Sequence, residues 1–171
     1  MKHWVALLRG VNVGGRTVRM AELRQALEGA GFDNVETVLQ SGNATFESAD
    51  DAVRLKTRLE ATLRERFGYD AKVQVIERDQ LGKIIDAYPF GKADASRHDY
   101  VIFLERGLER DLAAEDVEMS ARERVAAGDG VVYWRVDKGS TLKSTFAKLL
   151  TKSKYRDFNT NRNLNTLRKL L

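Results

Sequence analysis

The densest group of residues able to do chemistry is Arg9-Gly10-Val11-Asn12-Val13-Gly14-Gly15-Arg16. Its glycines let the backbone enter left-handed conformations and approach a ligand without interference from Cβ atoms. Arg9 and Arg16 flank them, and the loop runs towards a helical pattern starting near Met20, where free amides and the macrodipole favour an anion. A second group, Gln40-Ser41-Gly42-Asn43, offers a hydroxyl, two amides and another glycine. A third, Arg162-Asn163-Leu164-Asn165, is more polar than a surface helix requires. Groups of this kind suit a phosphate or a carboxylate.

Neither of the common nucleotide signatures is present. A Walker loop needs Lys-Ser/Thr after its last glycine, and here Gly15 is followed by Arg16-Thr17. The spacing of Gly10, Gly14 and Gly15 also departs from the dinucleotide pattern. The strand at 43–47 lacks the aromatic pattern of an RNA-recognition motif. Cysteine is absent and the two histidines, His3 and His98, are far apart, so neither a metal site nor a bound cofactor is expected. No Ser or Asp has a spacing that ties it to either histidine, and both read as structural. The acidic pairs Asp50/Asp51 and Glu115/Asp116 read as helix caps or solvated turns. No catalytic constellation is recognisable.

The elements that must position these groups follow from hydrophobic periodicity. His3 to Arg9 is apolar on both alternating sets, which predicts a strand covered on both faces. Met20, Leu23, Leu27 and Ala30 form one stripe of a helix that Gly31 stops. Strands at 35–40 and 43–47 are joined through Ser41-Gly42, a connection short enough to force a hairpin. A helix with the stripe Ala52, Leu55, Leu59 and Leu63 follows, capped by Asp50 or Asp51 and ended by Gly68. A strand at 71–77 completes the order β-α-β-β-α-β.

Beyond it the spacing predicts a helix near 80–88, a linker at 91–97 and a strand at 100–105. A helical turn near 111–116 and a hairpin across Gly128-Asp129-Gly130 come next. A helix capped by Ser140 or Thr141, with Leu142, Phe146, Leu149 and Leu150 inside, precedes a last helix carrying Leu164, Leu167, Leu170 and Leu171. Of Tyr133 and Trp134, on opposite strand faces, one is expected in the core and the other free for a contact. The fold class is therefore α+β: a ferredoxin-like βαββαβ domain over 1–78, then a second, smaller α+β domain over 79–171. The second domain has antiparallel strands and basic C-terminal helices.

This topology brings the first two groups together. The chain runs up the first strand, down the first helix and up the second strand, so the 9–16 loop and the 40–43 hairpin share one end of the sheet. Arg9, Gly10, Asn12, Gly14, Gly15, Arg16, Gln40, Ser41, Gly42 and Asn43 are then candidates to line one shallow cup, rich in donors and poor in carboxylates. Arg162, Asn163 and Asn165 either start the last helix or complete the same cup from the second domain.

Charge is unevenly spread. Lys138 to Leu171 holds nine Lys or Arg against Asp157 alone, a net +8, which leaves −4 on the rest of a chain whose total is +4. A basic tail fits either a polyanion partner or a solvated helical surface. No apolar run approaches the roughly 20 residues that span a bilayer. Met1-Lys2-His3-Trp4 enters a strand pattern with no cleavage site, so a cytoplasmic protein without membrane contact is expected.

The motifs Leu8-Arg9-Gly10-Val11-Asn12-Val13-Gly14-Gly15, Met20-Ala21-Glu22-Leu23, Leu39-Gln40-Ser41-Gly42-Asn43 and Thr160-Asn161-Arg162-Asn163-Leu164-Asn165-Thr166 resemble those of the uncharacterised bacterial family catalogued as domain of unknown function 1697. The resemblance spans almost the whole chain. It departs at Leu164, where the family usually carries Trp. It implies a two-part α+β fold of the ferredoxin-like kind and no established activity. The expected function is binding of an anionic ligand in the cup: a phosphorylated small molecule, a nucleotide or nucleic acid. The alternatives are an enzyme acting on a small anionic metabolite and a protein-protein scaffold.

Overall fold

The computed structural model describes every residue of the 171 except Val13, so that member of the first motif lies outside the described residues. The chain divides into two compact units, Met1–Gly82 with Lys169–Leu171, and Lys83–Arg168.

The first unit is built on β1, Lys2–Arg9. Trp4 through Leu8 are all buried, as its two apolar sets require. Helix α1, Met20–Gly29, buries Leu23 and Leu27, and the chain leaves it through Gly31 with the Phe32 N–H bonded to the Leu27 carbonyl. Strands β2, Asp33–Val38, and β3, Asn43–Ser48, pair antiparallel with an irregularity between Asp33 and Glu36. Helix α2, Ala52–Phe67, begins at Asp51, whose carboxylate accepts from the Val53 and Arg54 amides at 3.0 and 2.9 Å. Such a cap contributes about 1 kcal/mol. The helix ends at the left-handed Gly68, and β4, Lys72–Glu77, follows. The strand order is β2-β3-β1-β4 and every pairing is antiparallel.

The inward face of this sheet, Trp4, Ala6, Leu8, Ala44, Phe46 and Val73, packs with Leu23, Leu27, Leu55, Leu59 and Leu63 of the two helices. Each fully buried leucine contributes roughly 1.5–3 kcal/mol relative to exposure, so these stripes fix the helices on one face. The unit thus has the expected β-α-β-β-α-β element order.

In the second unit, α3 (Arg78–Asp86, which begins in the first) leads to β5, Arg97–Leu104, and α4, Leu108–Ala113. Then come β6 (Glu123–Ala127), β7 (Val131–Asp137), α5 (Thr145–Leu150), the single-turn α6 (Ser153–Arg156), β8 (Asn159–Asn163) and α7 (Leu164–Arg168). The sheet order is β6-β7-β5-β8. Numbered from its own first strand, this is the same permutation as in the first unit. The chain is two antiparallel α+β sheets of like topology in tandem, a repeat that shared residues do not reveal.

The second half departs from the sequence expectations in four places. Residues 159–163 form strand β8 on β5, and the last helix starts only after Asn163, because Asn159 to Asn163 lie in register with Leu104 to Tyr100 and complete the ladder. The helix expected from Ser140 begins at Thr145: Ser144 is its cap, accepting from the Ala147 amide at 3.1 Å. Leu142 falls in a preceding 3-10 turn and is 89% exposed, not inside. The buried Glu123 carboxylate fixes this start by accepting from the Thr145 amide at 3.0 Å and the Phe146 amide at 3.3 Å.

Tyr133 and Trp134 are both buried, so neither is free for a contact. Tyr133 donates to the Ile84 carbonyl at 2.7 Å and the Trp134 indole to Glu123 at 3.3 Å. The tight turn before them needs Gly128, where a Cβ would stand 2.5 Å from the Tyr133 ring. Residues 91–97, expected as a linker, are tied into the second unit, with the Lys138 amide bonded to the Ser96 carbonyl and Arg97 beside Asp94 and Asp137.

Candidate functional site

The 9–16 loop and the 40–43 hairpin meet at the end of the first sheet where β1 finishes. The β1–β3 ladder runs out at Leu7 opposite Asn43, and the Leu8 amide adds a bond to the Gly42 carbonyl at 2.8 Å. Asn12 then ties the two loops. Its side-chain amide donates to the Gln40 carbonyl at 2.7 Å, and its side-chain oxygen accepts from the Val18 amide at 2.8 Å. Asn12 holds the left-handed φ of 57° that Asn tolerates better than most residues.

Gly42 is required twice over. Its φ is 78°, and a Cβ there would stand 2.9 Å from Val11 Cγ2 and 3.1 Å from Leu8 Cβ. The hairpin can rest on the loop only because that position has no side chain.

These contacts sort the candidates by role. Asn43 is fully buried and ties its own hairpin, donating to the Val38 carbonyl and the Ser41 hydroxyl, both at 2.8 Å. Asn12 and Asn43 therefore hold the two loops in shape. Gly14, Gly15, Arg16, Gln40 and Ser41 are exposed, while Arg9 and Gly10 are half-buried. Arg16 donates to the Gly10 carbonyl at 3.1 Å and lays its guanidinium over the Tyr69 ring, 4.1 Å from the centroid.

Tyr69 reveals a third wall that the sequence reading did not include. Since α2 runs back towards this end of the sheet, the 68–71 connection between α2 and β4 arrives beside the other two loops. Lys72, first in β4, is in register with Arg9 across the β1–β4 ladder. Like charges directly opposite in a ladder repel; Asp70 offsets this by pairing with Lys72 at 3.3 Å and with Arg64 at 2.7 Å. The Arg64 and Lys72 bonds hold its carboxyl below the usual range. Asp70 is thus an acid beside these loops that is already engaged by two cations. Following the topology one loop further would have found both Tyr69 and Lys72.

The third group of candidates belongs to the second unit. Arg162 is buried on β8, in register with Val101, and donates to the Asn161 carbonyl at 2.9 Å. Burial pushes its guanidinium down to about 10. The Asn163 side chain accepts from the Asn165 amide at 2.9 Å, and Asn165 accepts from Arg168 at 3.0 Å. Those bonds turn the chain from β8 into α7.

Two other polar clusters lie away from these loops. In the second unit, Arg135 clasps Asp99 with Nε at 2.6 Å and Nη2 at 3.0 Å, and donates to the carbonyls of Phe90 and Lys92. Tyr88 donates to the same Asp99 carboxylate. Burial pushes Asp99 up, but the Arg135 and Tyr88 bonds outweigh it and leave the carboxyl below its ordinary value. In the first unit, a depression of about 440 Å³ lies at the other end of β1, where His3 and Glu47 stand 3.4 Å apart near Arg78 and Lys169. Among the described residues, no group of three or more His, Asp or Glu is placed to hold a metal ion, and no helix is long and apolar enough to cross a membrane.

The fold defines a tandem α+β protein in which the 9–16 loop, the 40–43 hairpin and the 68–71 connection gather at one end of the first sheet. The chain belongs to the family of proteins of unknown function DUF1697, which it matches over residues 1–133. The Thr160–Thr166 motif lies beyond that match. Among solved structures, the chain is similar to the conserved bacterial protein SP0830 from Streptococcus pneumoniae, with 28% identity and a TM-score of 0.82 over 99% of this chain and 96% of that one. An unknown protein from Galdieria sulphuraria, 12% identical, aligns over 95% of this chain and 96% of that one with a TM-score of 0.29. No curated protein of known function matches the chain.

Proposed function

We propose that the chain binds a small phosphorylated ligand, of nucleotide size or below, in the cup formed by the 9–16 loop, the 40–43 hairpin and the 68–71 connection. The observation that supports this most directly is the convergence of three loops that leaves the Arg16 guanidinium exposed on Tyr69, beside the exposed Gly14, Gly15, Gln40 and Ser41. A guanidinium suits a phosphate because it offers paired, charge-assisted donors in a fixed fork. Arg9, at the end of β1, adds positive charge, while Lys72, in register with it, is paired with Asp70.

A small ligand is favoured over a nucleic acid by the pairing within the basic tail. Lys152 pairs with Glu115 at 3.1 Å, Lys154 with Asp111 at 2.9 Å and Arg156 with Asp157 at 3.7 Å. Those bridges draw on acids of the same unit, and they weaken the tail as a polyanion surface.

Calorimetric titration with inorganic phosphate and with nucleoside monophosphates tests the reading. Binding is expected, weakened at least about tenfold in Arg16→Ala and in Arg9→Ala, the cost of losing a charge-assisted hydrogen bond. Unchanged affinity in both variants removes the cup from consideration. Tighter binding to an oligonucleotide, with a steep inverse dependence on salt, would favour the nucleic-acid version instead.

A further inference from the structure

The Tyr69 hydroxyl is an orphan. The residue is 7% exposed, and its oxygen has no hydrogen-bond partner among the described residues. Buried hydroxyls are normally satisfied, and one that is not needs a physical reason. The residue sits at the margin of the first unit's hydrophobic core, in the 68–71 connection, with the Arg16 guanidinium over its ring, 4.1 Å from the centroid. That contact is lightly held: Arg16 is exposed, and it donates to the Gly10 carbonyl at 3.1 Å. A long cationic side chain held this way reorients readily towards a stronger anionic partner.

We propose that Tyr69 is a ligand-binding residue of the cup, uncovered when a phosphate group draws Arg16 off its ring, so that the phenol O–H and the guanidinium donate to the same oxyanion. This rests on the phosphate-binding reading above and specifies a group that the sequence motifs do not contain. The pairing is chemically apt. Phosphate oxygens accept several donors at once, and a neutral phenol supplies one without adding negative charge. Burial pushes the Tyr69 phenol up, against the opposing pull of Arg16, so the donor proton is held at neutral pH. The orphan state then has an explanation: the hydroxyl is kept for a partner that arrives with the ligand.

The test is Tyr69→Phe, which keeps the ring beneath Arg16 and removes only the hydroxyl. Inorganic phosphate is titrated calorimetrically into the wild type and the variant in a phosphate-free buffer, with melting curves for both without ligand. The expected result is phosphate affinity weaker by about tenfold or more, as for loss of a hydrogen bond to a charged group, with a melting point unchanged or higher. Equal affinity overturns the inference and leaves the proposed function standing. A variant melting several degrees lower also overturns it, because the hydroxyl would then have a stabilising partner in the free protein. Failure of the wild type to bind phosphate defeats the underlying reading and this inference with it.

Discussion

Asn12 and Gln40, 28 residues apart, are joined by a 2.7 Å hydrogen bond from the Asn12 side-chain amide to the Gln40 backbone carbonyl. The other end of the same side chain accepts from the Val18 amide. One residue therefore clamps both the turn of the 9–16 loop and the hairpin against it.

Asn12→Gly preserves the left-handed backbone at φ 57° and deletes both bonds. At a net 0.5–1.5 kcal/mol for each hydrogen bond, and with an exposed residue that keeps water available, the stability loss should be about 1 kcal/mol in urea unfolding. Ligand affinity should fall more than stability does, since the loop that carries Arg16 is released. A variant with unchanged phosphate affinity would show that the clamp has no part in shaping the cup.

Leu39, beside Gln40 in the same hairpin, is half-exposed at 46% and sits at φ 59°. A branched, apolar residue in the left-handed region is strained by roughly 1–2 kcal/mol. Leu39→Asn places a residue that tolerates this conformation, and the melting point should rise, by an amount equivalent to about 1 kcal/mol. A lower melting point would mean that the leucine side chain contributes packing that outweighs its backbone strain.

The Asp99, Arg135 and Tyr88 cluster makes a prediction about pH. The folded carboxyl of Asp99 titrates below its unfolded value, so its contribution is fully present above the unfolded value and is lost as pH falls through the folded one. The Tyr88 phenol is pushed up, by burial first and by its bond to Asp99, so its contribution holds below an unfolded value near 10 and fades as pH rises beyond it. Stability should therefore fall below about pH 4 and again above about pH 10. Asp99→Ala should flatten the acid limb and cost about 3 kcal/mol at neutral pH, because Arg135, with its side chain 7% exposed, would keep a buried charge without its carboxylate. Equilibrium unfolding across pH measures both effects.

The first unit was far more legible in the sequence than the second. Its helices carry long leucine stripes, Leu23/Leu27 and Leu55/Leu59/Leu63, and its turns are marked by Gly31, Ser41-Gly42 and Gly68. Periodicity and punctuation agree there, and the element order follows. In the second unit the elements are short. Residues 159–163, Asn-Thr-Asn-Arg-Asn, have no apolar alternation and one β-branched residue, Thr160, too little to announce a strand. They become β8 because β5 offers an open edge whose backbone groups need partners, a demand no local pattern encodes. The same applies to α5: Glu123, 22 residues upstream, accepts from the Thr145 amide, so the start of that helix depends on a distant side chain.

By itself, the sequence determined that the chain is a cysteine-free α+β protein with a glycine-arginine loop and a polar hairpin at one end of a βαββαβ unit. Hydrophobic period and turn chemistry act over a few residues, and they suffice for that much. Only the tertiary structure separated the residues that tie these loops together from those left exposed on them. Asn12 and Asn43 look like ligand donors until their side chains are seen tied to the Gln40 and Val38 carbonyls. Tyr69 looks like an ordinary core residue until its hydroxyl is found without a partner beneath Arg16. Whether a polar group is satisfied depends on neighbours brought near by folding, 28 residues away for Asn12 and 53 for Tyr69 and Arg16, a relation set by three-dimensional geometry rather than by residue type.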